Sequence, residues 1–221
     1  MTQKQGKHTS KTLTAHENMS KPIVLVFAGP NGSGKSTLAA QIPHYGVYIN
    51  ADDLKKEYAL TDLEAAEKAE ALRNKLVEKK ADFTFETVLS TKRNLHLLKK
   101  AKENGYEVQC IYVLTCKADI NVARVRGRVC EGGHDVPEDK IRSRYTKALK
   151  LLPQIIDVCD KILIYDNSVM PSLIFAKSEE GIEYFPTEIW LIKKLKKLLK
   201  IGKQNAPVLY KRNRRKPDNY F

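Results

Sequence analysis

Six apolar residues, Ile23-Val24-Leu25-Val26-Phe27-Ala28, run without a break into Gly29-Pro30-Asn31-Gly32-Ser33-Gly34-Lys35-Ser36. Few folds accommodate that junction. A short, continuously apolar run suits a strand buried on both faces of a parallel sheet. Good helix formers follow the glycines directly, from Ser36 and Thr37 to Gln41, so the turn is framed by a strand and a helix. The turn itself fits GxxxxGK[ST], and each part has a phosphate-binding rationale. Glycines let backbone N–H groups converge on an anion. Lys35 brings a mobile point charge to the β- and γ-oxygens, Ser36 offers a hydroxyl to Mg²⁺, and the next helix aims its positive end at the phosphates. Gly29, Asn31, Gly32, Ser33, Gly34, Lys35, Ser36 and Thr37 are therefore the expected nucleotide-binding residues, with Ser36 the metal ligand and ATP or GTP the ligand.

The same alternation continues downstream. Val47-Tyr48-Ile49-Asn50 predicts a second strand, with Asp52 and Asp53 at its C-terminal end. Leu63, Ala66, Ala69, Leu72 and Leu76 predict an amphipathic helix over 62–80, opened by acidic residues. Phe83-Thr84-Phe85-Glu86-Thr87 reads as a strand delivering a carboxylate and a hydroxyl. A helix over 91–104 stops at Gly105, and a strand follows over 106–114. Residues 119–130 form an arginine-rich helix, broken at Gly132-Gly133-His134-Asp135-Val136, and Pro137 opens another that reaches about Val158. Residues 161–166 form a further strand. Residues 172–175 and 182–185 make a hairpin turning at Glu180-Gly181, and a helix over 187–201 docks its apolar side on the sheet. The expected fold class is α/β: a P-loop kinase-like open parallel sheet with helices on both faces and an arginine-rich helical lid over about 119–148. Residues 1–21 are expected to form a flexible polar arm, 22–201 one domain, and 202–221 a basic flexible tail.

The net charge of +13 matters by its location. Residues 186–221 carry eleven Lys/Arg against Glu188 and Asp218, which is +9, and residues 1–22 carry four lysines against Glu17, which is +3. The body between them is +1, that is 13 − 9 − 3. Any nucleic-acid affinity is thus expected to be weak and to come from the ends, through non-specific phosphate attraction. The four cysteines show no CxxC spacing, so neither a zinc site nor a disulfide framework is expected. The first twenty residues have no apolar core and no apolar run reaches membrane length, which predicts neither leader nor membrane span and a cytoplasmic protein.

The phosphate loop alone does not separate kinases from switch or regulatory ATPases. Asp52, Glu86 and a set of arginines at the same sheet edge do, because together they supply a base and cations for phosphoryl transfer. Asp52 is the first choice for accepting an acceptor hydroxyl's proton, with Asp53 the alternative; one of the two caps the next helix in a competing reading. Glu86 and Thr87 hold acceptor hydroxyls, or support Mg²⁺ through water. Arg128 and Arg144 flank the glycine break and are the first choices for transition-state cations. Arg124 and Arg142 read better as helix arginines paired with Glu131, Glu138 or Asp139. His134 shapes the helix entry.

Over residues 22–167 these motifs resemble the zeta toxin family, in a short form. The resemblance rests on the phosphate loop, Ile49-Asn50-Ala51-Asp52, Phe85-Glu86-Thr87, and the stretch from Arg128-Val129 through Gly132-Gly133-His134-Asp135-Val136-Pro137 to Ile141, Arg144 and Tyr145. It implies a Mg²⁺-dependent kinase that phosphorylates a hydroxyl of a UDP-amino-sugar, the toxin of a toxin–antitoxin pair, with Asp52 as catalytic base and a separate antitoxin protein as partner. Two other activities stay open on the residues alone: a nucleic-acid-end kinase and a nucleotide-dependent regulator without an acceptor.

Overall fold

The structure, a computed structural model, describes residues 20–201 and the short strand at 208–210. Its elements in chain order are β1 (Ile23–Ala28), α1 (Lys35–Ala39), β2 (Val47–Ile49), α2 (Ala51–Glu57), α3 (Asp62–Lys79), β3 (Phe83–Thr87), α4 (Lys92–Glu103), β4 (Glu107–Leu114), α5 (Ala118–Cys130), α6 (Glu138–Val158), β5 (Lys161–Asp166), β6 (Ser172–Ser178), β7 (Gly181–Tyr184), α7 (Ile192–Leu199) and β8 (Val208–Tyr210). All eight strands share one sheet in the order β2-β3-β1-β4-β5-β6-β7-β8.

The first five strands are mutually parallel. Their crossovers move in opposite directions along the sheet, and right-handed connections then place their helices on opposite faces. Period-two alternation in the strands records both layers. Val24, Val26 and Ala28 face a core completed by α3, α4, α6 and α7, while Leu25 and Phe27 face a smaller one beneath α1. Adjacent strands β1 and β4 send their next connections to opposite sides, which opens a crevice at their carboxyl ends.

The sheet is mixed rather than wholly parallel. β6 runs antiparallel to β5, and β7 antiparallel to β6. Five residues, 167–171, join β5 to β6, too few for the crossover that a parallel neighbour needs. The hairpin pairs Ser178 with Gly181, so its loop is Glu179-Glu180, one residue earlier than expected. Part of the segment read as a flexible tail is also ordered into the sheet: Val208–Tyr210 pairs parallel with β7. A Val-Leu-Tyr triplet has high strand propensity, which the surrounding basic residues mask in composition. The remainder of 202–221, and residues 1–19 of the expected polar arm, lie outside the described residues.

α7 is shorter than its apolar stripe suggests, because Thr187 and Trp190 close a turn on each other before it. It docks as expected, with Leu195, Leu199 and the preceding Trp190 buried in the larger core. Among the described residues no helix is long and apolar enough to cross a membrane.

Candidate active site

At the carboxyl end of β1 the chain turns through a loop anchored from outside. Gly29 donates its N–H to the Thr87 carbonyl at 3.2 Å. Its φ is +143°, and a Cβ there would lie 2.0 Å from the Val113 carbonyl oxygen of β4. Backbone cannot yield as a flexible side-chain tip can. Gly29→Ala is therefore expected to destabilise the protein by roughly 2–4 kcal/mol through overpacking and strain, measured as a fall in the urea midpoint at constant m-value.

Two asparagines hold the rest of the loop. Asn121 Nδ2 on α5 donates to the Asn31 carbonyl at 2.6 Å, and its Oδ1 accepts from the Thr115 hydroxyl. Asn167 Nδ2, just past β5, donates to the Ser33 carbonyl at 2.8 Å. Among the described residues the amides of Gly32 and Gly34 donate to nothing, and the buried Ser33 hydroxyl has no partner. Unpaired donors on a glycine-rich loop with tethered carbonyls are what an anion nest requires, so these residues fit a polyphosphate. α1 spans only five residues. The helix dipole expected from the sequence is correspondingly small, and Lys35 with the loop amides carries the positive potential.

Lys35 is where the site's charges meet. Burial draws its ammonium below the usual lysine range; Glu86 and then Asp52 oppose that shift, and Arg128 and Arg144 reinforce it. The four charged residues singled out from three separate sequence motifs thus act on one ammonium. A cleft of about 610 Å³ joins them, lined by Asn31, Gly32, Lys35, Ser36, Asp52, Glu86, Thr87, Arg128 and Arg144 among others. That volume lies within the range of small-molecule sites. Gly29, Ser33, Gly34 and Thr37 do not line it.

Glu86 is positioned by two hydroxyls. Ser36 Oγ donates to Oε2 at 2.6 Å, and Tyr48 Oη donates to Oε1 in a short hydrogen bond. The Tyr48 ring stacks on His44 with centroids 4.3 Å apart, which fixes the donor. Burial and then the Glu86 carboxylate raise the Tyr48 phenol, so it stays protonated and keeps donating. A carboxylate against the Ser36 hydroxyl places acidic oxygen beside the expected metal ligand, and a hard divalent cation suits that donor set.

Neither aspartate caps α2. Asn50 does, accepting from the Asp52 N–H at 2.9 Å, and the next turn then starts at the end of β2. Asp52 lines the cleft whereas Asp53 does not. Thr87 also lines it, but its hydroxyl already accepts from Leu89 N–H at 3.1 Å and Asn94 Nδ2 at 2.7 Å. It retains one proton to donate and otherwise braces the turn into α4.

The arginines divide by what they touch. Arg128 donates to the His134 carbonyl at 2.6 Å, folded over Gly133, where a Cβ would sit 2.5 Å from its own Cγ. Arg144 reaches Asn31 Oδ1 at 3.4 Å. Arg126 pairs with Glu138, and Arg142 with both Glu138 and Asp119 at 2.8 and 2.7 Å. Arg124 departs from the helix-surface reading: it turns inward to the Ser168 carbonyl at 3.4 Å and leaves Nη1 buried without a partner.

The zeta toxin family model matches residues 7–178, more than three quarters of the chain. The chain belongs to the zeta toxin family. A relative in Haemophilus influenzae, itself uncharacterised, is 35% identical over 131 residues, 55% of this chain and 91% of the relative. Among solved structures, this zeta toxin family member is similar to one from the PezAT chromosomal toxin–antitoxin system of Streptococcus pneumoniae (TM-score 0.52, 20% identity, 71% of each chain). It is also similar to the AvrRxo1-ORF1:-ORF2 complex with ATP (TM-score 0.63, 14% identity, 84% of this chain and 66% of that one), and to the Pnkp1/Rnl/Hen1 RNA repair complex (TM-score 0.50, 19% identity, 61% and 46%). At these identities the structural likeness concerns the fold.

Several residues of this candidate site carry no sequence signal of their own. Tyr48, Asn121 and Asn167 act on partners 38, 90 and 134 positions away, so no local pattern marks them. Asn50 is different, since an asparagine directly before a helical stretch is an N-cap signal.

Proposed function

We propose that this protein is a kinase that transfers the γ-phosphoryl group of ATP or GTP, with Mg²⁺, to a hydroxyl of a UDP-amino-sugar, and that it is the toxin of a toxin–antitoxin pair restrained by a separate antitoxin protein. The observation that carries the reading is the convergence of Lys35, Asp52, Glu86, Arg128 and Arg144 on one cleft. A regulator without an acceptor needs the loop and lysine but not a free carboxylate at the cleft wall. The nucleotide supplies the phosphoryl group and Mg²⁺ screens its charge. Ser36, with Glu86 hydrogen-bonded to it, would hold that ion, which would supply charge neutralisation to the phosphates. Lys35 binds the β- and γ-oxygens. Asp52 accepts the acceptor hydroxyl's proton as the new O–P bond forms and the bond to the β-bridging oxygen breaks. Arg128 and Arg144, from the two helices α5 and α6, bring cations to the transferring group as a lid over 119–148. The family and the ATP-bound fold relative support the donor, and the toxin–antitoxin origin of the PezAT structure supports the biological setting.

One observation favours a second reading. Nearly all the net positive charge lies in the two ends of the chain, and α7 exposes a row of lysines, as a nucleic-acid-end kinase would use. Salt separates the two. Labelled γ-phosphate is offered with UDP-sugars, free nucleosides and short oligonucleotides at increasing ionic strength. The proposed reading expects label on a UDP-sugar with a shallow salt slope. Label on an oligonucleotide, lost steeply with salt, would replace it. Inducing wild type and Lys35→Ala in one bacterial host tests the toxin role: wild type alone is expected to arrest growth, and equal growth would remove that role.

A further inference from the structure

We propose that the solvent side of α4, α6 and α7 is a docking surface for duplex nucleic acid, held through its phosphates without regard to base sequence and apart from the catalytic cleft. The surface uses no strand end, and it does not depend on which acceptor the cleft takes.

The three helices lie side by side on one face of the sheet, α6 touching α4 on one side and α7 on the other. Each packs its apolar side into the larger core, through Leu95 and Leu98 of α4, Leu152 and Ile155 of α6, and Leu195 and Leu199 of α7. Their opposite sides therefore form one outward surface, and its charge is of one sign. α4 exposes five Lys/Arg against Glu103, α6 beyond Arg142 exposes two lysines against Asp157, and α7 exposes four lysines and no acid. The next helix on the same face differs, since α3 exposes Asp62, Glu64, Glu67 and Glu78 against Lys75 and Lys79. Acids elsewhere thus offset the lysines of α4 and α6 in the sequence charge but not in space. Arg93, Lys100 and Lys102 are committed to Glu70, Glu78 and Asp160. Among the described residues Lys92, Lys99, Lys147, Lys150, Lys193 and Lys197 have no ion pair and no side-chain hydrogen bond, and none of the six lines the cleft.

Unpaired lysines on rigid helices are point charges suited to phosphate. Packed helices set such rows about 8–10 Å apart, between the roughly 6 Å and 12 Å widths of the two duplex grooves, so long lysine stems reach phosphates of both strands. No phenylalanine, tyrosine or tryptophan is exposed on the three helices, and a single strand therefore finds no platform on which to stack its bases. An anionic bilayer would meet the same charge but not the apolar face by which a surface helix is held. Leu195 and Leu199 of α7 are fully buried, and only Ile189 and Leu191, before the helix, leave large apolar side chains exposed at this edge. Charge without aromatic or apolar contacts selects the phosphate backbone of a duplex.

The test is fluorescence anisotropy of the full chain with a labelled, closed duplex DNA that has no free strand end, in the presence of a saturating non-hydrolysable ATP analogue and over a range of salt. Wild type is expected to bind, with an affinity that falls steeply as salt rises. The fourfold variant Lys99→Gln/Lys147→Gln/Lys150→Gln/Lys197→Gln changes only exposed positions, so it should keep a cooperative melt. It should bind roughly 10- to 100-fold more weakly and flatten the salt slope by about one for each lysine removed. The exposed α3 pair Lys75→Gln/Lys79→Gln should bind duplex as wild type does, and neither variant should change in analogue affinity. No binding by wild type overturns the proposal, as does equal affinity and slope in the fourfold variant, which would leave duplex binding to the chain ends. Tighter binding of a single strand of equal length also overturns it. So does loss of the closed duplex while an open one still binds, a result that would point to a strand end in the cleft. Binding to phosphatidylserine vesicles that the fourfold variant loses, with no binding of duplex, would assign the surface to a membrane instead.

Discussion

Asp52→Asn is expected to leave nucleotide affinity within about twofold of wild type and to lower phosphoryl transfer by roughly 10² to 10⁴-fold, the usual contribution of a positioned general base. The substitution keeps the shape of the side chain and one acceptor oxygen, and removes only the ability to take a proton. The Asn50 cap receives the backbone N–H of residue 52, so it survives the change and α2 should not move. Asp52 also lies on the cleft wall, whereas Asp53 does not, so Asp53→Asn should transfer at close to the wild-type rate. Isothermal titration with an ATP analogue and single-turnover transfer, measured on both variants, separate binding from chemistry. An Asp53→Asn enzyme that is dead beside an active Asp52→Asn would reverse the assignment.

Lys35→Ala should act on both. Loss of the ammonium removes the loop's mobile charge and leaves Glu86 and Asp52 without the cation on which both act. Nucleotide affinity is expected to fall about 10- to 100-fold and transfer by a further factor on the order of 10³. Arginine should not rescue it, because the fork is larger than the point charge the loop encloses. The lysine also predicts a pH effect on the nucleotide-free protein. Its folded value lies below the ordinary 10.5 because burial penalises the charged form. Between the folded and unfolded values the unfolded chain holds more protons, so this group adds stability as pH rises through that window and costs stability below it. Chemical denaturation of wild type and Lys35→Met across the alkaline range checks the sign: wild type should gain on the variant as pH rises, and a bound nucleotide should erase the difference.

Much of this site could be read from the residues because its parts are short and local. The apolar run of β1, the glycines after it and Lys35 are contiguous. Asp52 and Glu86 each stand at the end of a β-prone stretch, and strand ends in a parallel sheet share one edge. What was not legible depends on pairing across the fold. Asn121 and Asn167 are single polar residues whose value comes from loop carbonyls far away in the chain. Arg73 reads in sequence as one more charged position on an amphipathic helix, and the structure buries it. Arg124 fails in the same way, turning inward to the Ser168 carbonyl. The hairpin that makes the sheet mixed was visible, but its consequence for sheet type depends on how the short connection after β5 returns. β8 escaped because three apolar residues in a strongly basic segment give no periodicity to read.

The kinase reading is tested most directly by the coupling between nucleotide consumption and acceptor modification. ADP formation by the wild-type chain with ATP and Mg²⁺ is followed with and without a UDP-amino-sugar, and the sugar is weighed by mass spectrometry at each time point. The account predicts slow ADP formation alone, a large rise on adding the sugar, and one phosphoryl group gained by the sugar for each ADP released. ADP formation that ignores the sugar, with the sugar's mass unchanged, would contradict it and leave a nucleotide hydrolase whose Asp52 serves another end.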